Sequence, residues 1–229
     1  MSGWLTAHLR WPERSKQAQT REIVRALHEL APEVRRWHYL WHADSGPHLR
    51  LRLCCRGEAS RQRAWTYLRA CAPGAERRPY RPEVWKFGGA RHYPAHEEFF
   101  QCSSERALAV WGLHSPDARL RAAYQDTTLL LGRLQPAARP AARAAMLAFA
   151  HAHLAGQPGV ARAAQALRRS PPGPPWQPRW PPDAPDTDPL GPHLQGLHLH
   201  LNRLGLGLRR EALVYLAAGN PPATLTSGD

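Results

Sequence analysis

Apolar residues change their spacing once along this chain, and that change limits what it can fold into. In three early segments, 4–11, 36–41 and 48–55, they recur at every second position, the period of a strand with one buried face. Between the first two, "SKQAQTREIVRALHELAPEV" sets Ile23, Val24, Leu27 and Leu30 at helical spacing and runs into Ala31-Pro32, which predicts a helix over about 15–30. After the third, "EASRQRAWTYLRACAPG" predicts another, with Trp65, Leu68 and Cys71 inward and Pro73-Gly74 as its stop. From His92 onward only helical spacing remains, in "AHEEFFQCSSERALAVWGL", "SPDARLRAAYQDTTLLLGRL" and "RPAARAAMLAFAHAHLAG". In the second of these, Leu120, Tyr124, Thr127, Leu130 and Leu131 share a side, and Ser115-Pro116 reads as a cap followed by proline at the first helical position. Residues 170–192 hold too many prolines for helix or sheet and are expected to be a loop or linker. "LGPHLQGLHLHLNRLGL" and "RREALVYLAAG" close the chain as helices, with Gly219-Asn220-Pro221 as terminator.

The early order of strand, helix, strand, strand, helix predicts an α+β fold: a ferredoxin-like sheet layer in the first part and a mostly helical second part. We expect one unit over 1–229, sheet-rich over 1–91 and helical over 92–229. Its 43% hydrophobic residues and nine tryptophans suffice for a core of real size. No signal peptide or membrane span is visible, so a cytoplasmic location without a membrane partner is expected. Cys54, Cys55, Cys71 and Cys102 have neither CxxC spacing nor a paired framework, which predicts reduced thiols and no zinc ribbon. The formal charge is +13, and Lys16 and Lys86 are the only lysines. This balance suits a polyanionic or acidic-peptide partner, or simply a chain that uses Arg for every solvated cation, since its basic residues are scattered.

Three constellations could carry chemistry. On the strand "SGPHLRLRLCCRG", His48, Arg50 and Arg52 share the face opposite Leu49, Leu51 and Leu53. Guanidinium groups two residues apart, about 7 Å, suit two carboxylates of one small molecule, or equally a pair of cross-strand salt bridges. In "YRPEVWKFGG", Glu83 and Lys86 would share a side in a helical turn and pair with each other or with those arginines; alternatively they form an ordinary exposed ion pair. Lys86 is also notable because a lysine, unlike an arginine, can lose its proton when buried. In "LHLHLNRLG", Leu190, Leu194, Leu197, Leu201 and Leu204 form an apolar stripe with His198 and Asn202 along its flank. His198 there is either a proton carrier or a hydrogen-bonded histidine at a helix boundary. A zinc set of His193, His198 and His200 fails, because residues two apart on a helix diverge by about 200°. No GxGxxG, P-loop, GxSxG or HExxH motif occurs.

In this order, "PHLRLRL", "YRPEVWKFGG" with "HEEFFQCSS", and "HLHLNRLGL" resemble the motifs of the C-terminal elimination domain of the lantibiotic dehydratases. The domain also occurs alone as thiopeptide-type bacteriocin biosynthesis proteins, and the resemblance spans 4 to about 216. It implies a reaction on a ribosomal precursor peptide with its leader. A Ser or Thr, glutamylated by a separate protein that uses glutamyl-tRNA, loses glutamate to leave dehydroalanine or dehydrobutyrine. By the same resemblance Arg50, Arg52 and Lys86 hold the departing glutamate, His198 moves the proton, and Glu83 matches the family glutamate. His48, Asn202 and Arg203 are expected to bind substrate. No cofactor, no metal and no direct nucleic-acid partner are implied, because the tRNA chemistry belongs to another domain. Two departures stand out: Lys86 replaces an Arg, and Ser103-Ser104 replaces an Asp-Ser pair. Since the family includes the thiopeptide pyridine synthases, the resemblance implies as the alternative to elimination a formal [4+2] aza-cycloaddition of two dehydroalanines with loss of water and leader. A non-catalytic module that binds the leader is a third possibility.

Overall fold

The computed structural model describes residues 3–11, 13–44, 46–173, 175–181 and 190–220. Strand β1 (Trp4–Leu9) leads into helix α1 (Lys16–Glu29), the hairpin of β2 (Val34–His42) and β3 (His48–Cys55), helix α2 (Glu58–Cys71) and the short strand β4 (Glu76–Arg78). The four strands form one antiparallel sheet in the order β2-β3-β1-β4, the ferredoxin-like arrangement that the early pattern predicts. Period two explains its faces. Leu5, Ala7 and Leu9 of β1 and Leu49, Leu51 and Leu53 of β3 are buried in the core, while Thr6, His8, Arg50 and Arg52 alternate with them.

A 3-10 turn (Val84–Phe87) precedes α3 (Tyr93–Trp111), α4 (Pro116–Arg133), α5 (Arg139–Leu154), α6 (Val160–Arg168), α7 (Leu190–Arg203) and α8 (Leu208–Gly219). Ser15 and Ser115 cap α1 and α4, each accepting a hydrogen bond from the amide three residues on, which satisfies an otherwise orphaned donor. Helix α8 packs on α4, α5 and α6, while α3 and α7 pack against β2 and join the helical part to the sheet.

That junction is built from hydrogen bonds to the free edge of β2. The amides of Trp37, Tyr39 and Trp41 donate to Gln101 Oε1, Ser104 Oγ and Asn202 Oδ1. Asn202 Nδ2 returns a bond to the Trp41 carbonyl at 3.0 Å, and Arg203 Nε donates to the Tyr39 carbonyl at 2.9 Å. Side chains from two helices thus take the place of a fifth strand. The end of α7 closes as a Schellman motif: Gly205 N–H donates to the Asn202 carbonyl and Leu206 N–H to that of Leu201. Gly205 sits at φ +78°, where a Cβ would lie 2.5 Å from the Trp111 ring.

Several details differ from expectation. Val24, assigned to the apolar side of α1, is 48% exposed, and Thr20 and Ala26 are buried with Ile23 instead. Strand β4 carries no apolar alternation and escapes a periodicity reading, as does the nine-residue α6. Residues 171–173 and 175–181 have no regular structure, but 190–192 begin α7, whose first turn tolerates Pro192 because its missing N–H has no partner to lose there. The remainder of the proline-rich stretch, and Pro221, lie outside the described residues. Trp176 and Trp180 from this stretch pack on Phe99 and stack on His200 and His193. All four cysteines are free thiols, and among the described residues no helix is long and apolar enough to cross a membrane.

Candidate functional site

A cleft of about 390 Å³ lies between the open face of β2 and β3, the 3-10 turn and α7. Arg50 and Arg52 enter it from β3, Glu83 and Lys86 from the turn, and His198, Asn202 and Arg203 from α7. Residues more than a hundred positions apart therefore meet, and seven of the eight sequence-selected side chains line one cavity. His48 does not. Its ring lies in a neighbouring hollow, with Nδ1 2.9 Å from the Gly46 carbonyl and the plane stacked on His8 at 4.6 Å.

Local structure explains how each group is held. Val84–Phe87 winds as a single 3-10 turn closed by Gly88 in the left-handed conformation at φ 76°, and Glu83 and Lys86 fall three apart on it. Their carboxylate and ammonium pair at 2.8 Å. Arg50 Nε donates to His8 Nε2 at 3.1 Å, and Arg52 lies over the Tyr80 ring with its Nε unpartnered among the described residues. Burial and the adjacent Arg52 charge push Arg50 below its usual value. The two guanidinium groups repel one another, and an anion between them relieves that.

His198 is held by a residue no motif reveals. Its Nδ1 donates to Glu211 Oε1 at 2.8 Å, which leaves Nε2 as the nitrogen available to the cleft. The hydrogen bond to the buried Glu211 carboxylate raises the imidazole above its ordinary value, against the opposing effects of burial and of Lys86. Burial, and after it the neighbouring Glu211 carboxylate, push the Tyr215 phenol up. The one legible signal was that Glu211 is the only carboxylate in 190–220.

Asn202 and Arg203 line the cleft and also hold the fold together. Oδ1 and one Nδ2 hydrogen of Asn202 are engaged by Trp41, which docks α7 on the strand, and the second Nδ2 hydrogen remains for the cleft. Arg203 is fully buried: Nε is bound to Tyr39 and one terminal nitrogen to Ser103 Oγ at 3.2 Å. Complete burial pushes its guanidinium down to about 9. Ser103 in turn bonds His200, which bonds Asp126, which takes a two-pronged grip from Arg106. This buried chain carries a counter-charge toward Arg203, whose remaining terminal nitrogen has no partner among the described residues and lies at the cleft. The three histidines of α7 accordingly diverge: His198 to Glu211, His200 to Asp126, His193 beneath Trp180.

Tyr93 also lines the cleft and was not selected from sequence. Tyr80 spends its proton on Glu97 Oε1 at 2.5 Å, so the Tyr93 hydroxyl, 3.0 Å away, donates to Tyr80. Burial, first of all, pushes both phenols up.

A model of the C-terminal region of lantibiotic biosynthesis dehydratases matches residues 4–220. The chain belongs to that family. Two solved structures share the fold of this dehydratase C-terminal chain. The tRNA-dependent lantibiotic dehydratase MibB from Microbispora sp. 107891 aligns with TM-score 0.53 and 22% identity over 95% of this chain and 28% of its own. TbtD, the pyridine synthase of thiomuracin biosynthesis, aligns with TM-score 0.62 and 16% identity over 94% of this chain and 96% of its own. The family chain described here thus spans little more than a quarter of the dehydratase. No curated protein sequence matches it significantly.

Proposed function

We propose that this chain removes glutamate from glutamylated Ser or Thr residues of a ribosomal precursor peptide, a separate protein having attached the glutamate. The observation that carries this reading is the company His198 keeps: a carboxylate-held imidazole in one cleft with Arg50, Arg52 and Lys86. Neutral His198 takes the α-proton through Nε2. The C–H electron pair becomes the Cα=Cβ bond, the Cβ–O bond breaks, and glutamate leaves as an anion. Arg50, Arg52 and Lys86 stabilise the charge that develops on its oxygens, and Glu211 stabilises the imidazolium formed. Glu83 keeps the Lys86 ammonium on the cleft wall. Asn202 and Arg203 position α7 and with it His198.

One observation favours a second reading, pyridine formation from two dehydroalanines: Tyr93 forms a proton path to Glu97 for which elimination has no evident use. Amide tautomerisation would use it. Mass spectrometry of a glutamylated and a dehydroalanine-bearing precursor, each incubated with the pure protein, separates the two. Elimination consumes the first and leaves the second. Consumption of only the second, with release of its leader, replaces the proposal with pyridine formation, and binding without conversion of either makes the chain a leader-binding module.

A further inference from the structure

Beyond the cleft the open face of the sheet continues into a second hollow, of about 640 Å³. Strand register runs one row of side chains from the cleft, at His38, into the hollow, at Thr6 and Arg78. His38, Arg52, Thr6 and Arg78 are successive cross-strand partners on β2, β3, β1 and β4, so their side chains form one row. Arg10, Arg50, Arg52, Arg78 and Arg81 line the hollow, against Asp44 as the single lining carboxylate among the described residues. Glu76 answers part of the excess by pairing with Arg10 and Arg78. His8 adds no positive charge at neutral pH, because burial and the neighbouring Arg50 hold it down to about 4.

Charge alone would be a solvated surface, but two buried polar groups in the wall lack partners among the described residues. Thr6 is 3% exposed with no partner for Oγ1, and His48 is 3% exposed with none for Nε2. Burying a hydroxyl or a ring nitrogen unpaired costs stability unless a ligand completes it. The hollow and the cleft share Arg50, Arg52 and Asp44, so a molecule can occupy both without a break.

We propose that this hollow binds a carboxylate-bearing stretch of the peptide substrate, with Asp or Glu side chains on Arg78, Arg81 and Thr6. Strand β4 lies two strand spacings from β3, about 10 Å, which an extended peptide covers in about three residues. The acidic residue recognised is therefore about three positions from the one that reacts. Nucleic acid fits less well. Single strands are held by exposed aromatic faces between the cations, and among the described residues no Trp, Tyr or Phe lines this hollow.

The assignment takes the substrate to be a peptide, as proposed above, and binding is read separately from turnover so that the two can fail separately. Fluorescence anisotropy with labelled hexaglutamate measures it on the full chain. The Arg78→Gln/Arg81→Gln pair weakens binding about tenfold or more, and Thr6→Val weakens it severalfold without lowering the unfolding midpoint, since the hydroxyl has no partner within the fold. Arg209→Gln/Arg210→Gln, an exposed pair on α8, changes it little. His198→Ala removes turnover but leaves hexaglutamate affinity intact, and that affinity stands even if no precursor is converted. Equal losses from the two arginine pairs would reduce the site to diffuse charge and overturn the proposal. So would tighter binding of an oligouridylate of the same charge.

Discussion

His198 depends on Glu211 for both its orientation and its basicity. The carboxylate raises the imidazole above 6.5, so the base form that takes a proton accumulates only as pH rises through that elevated value. Elimination should therefore gain rate as pH rises through that value. Glu211→Gln should shift the acidic limb of the rate profile to lower pH, because the charge that favours the imidazolium is gone; a limb that stays in place would remove Glu211 from this role. Arg50→Ala should slow conversion of a glutamylated peptide about 10²–10³-fold, read by mass spectrometry. Lys86→Arg should retain or improve turnover, since a planar fork grips a carboxylate at two points. The arginine pair was legible because alternate strand positions share a face. Glu211 was not, because nothing in the spacing of α7 and α8 says that their side chains meet.

The fit between α7 and β2 is specified by hydrogen bonds. Asn202 satisfies the amide and the carbonyl of Trp41 in a half-buried setting, so Asn202→Ala strands both backbone groups and should cost about 2 kcal/mol or more. Gly205→Ala forces a left-handed backbone angle and pushes a methyl into Trp111, for a loss of about 1–3 kcal/mol. Urea unfolding measures both, and a midpoint unchanged by Asn202→Ala would show that α7 docks by apolar contact alone. "NRLG" thus carries more architecture than chemistry. Its histidine neighbour was readable as lying on the flank of the helix, but the use of an amide as a substitute strand partner was not, since it depends on which edge of the sheet is left unpaired. Elements with strong periodicity, β3 and α1 among them, were readable almost to the residue. Strand β4 lacked apolar alternation, and α6 was too short to stand out.

Taken as a whole, the molecule holds several histidines neutral in its interior. Burial, first of all, pushes His8 and His96 down to about 4, and lowers His38 and His200 as well. In the unfolded chain these groups titrate near 6.5, so below that pH the unfolded state binds protons that the fold refuses. Their stability contribution is complete above about pH 6.5 and drains away as pH falls toward 4, with His198 opposing weakly in the other sense. The urea midpoint should therefore be clearly higher at pH 7.5 than at pH 4.5, and a flat profile would mean that these rings reach water. The edge of β2, finally, bears on how copies of the chain meet. With Gln101, Ser104, Asn202 and Arg203 already bonded to it, that edge cannot template a strand from a neighbour. The opposite edge, β4, offers three residues, two of them arginines. A sheet closed off in this way resists growing from one molecule into the next, so a concentrated solution of this protein is guarded against strand-mediated fibres by the same side chains that bring α7 to its cleft.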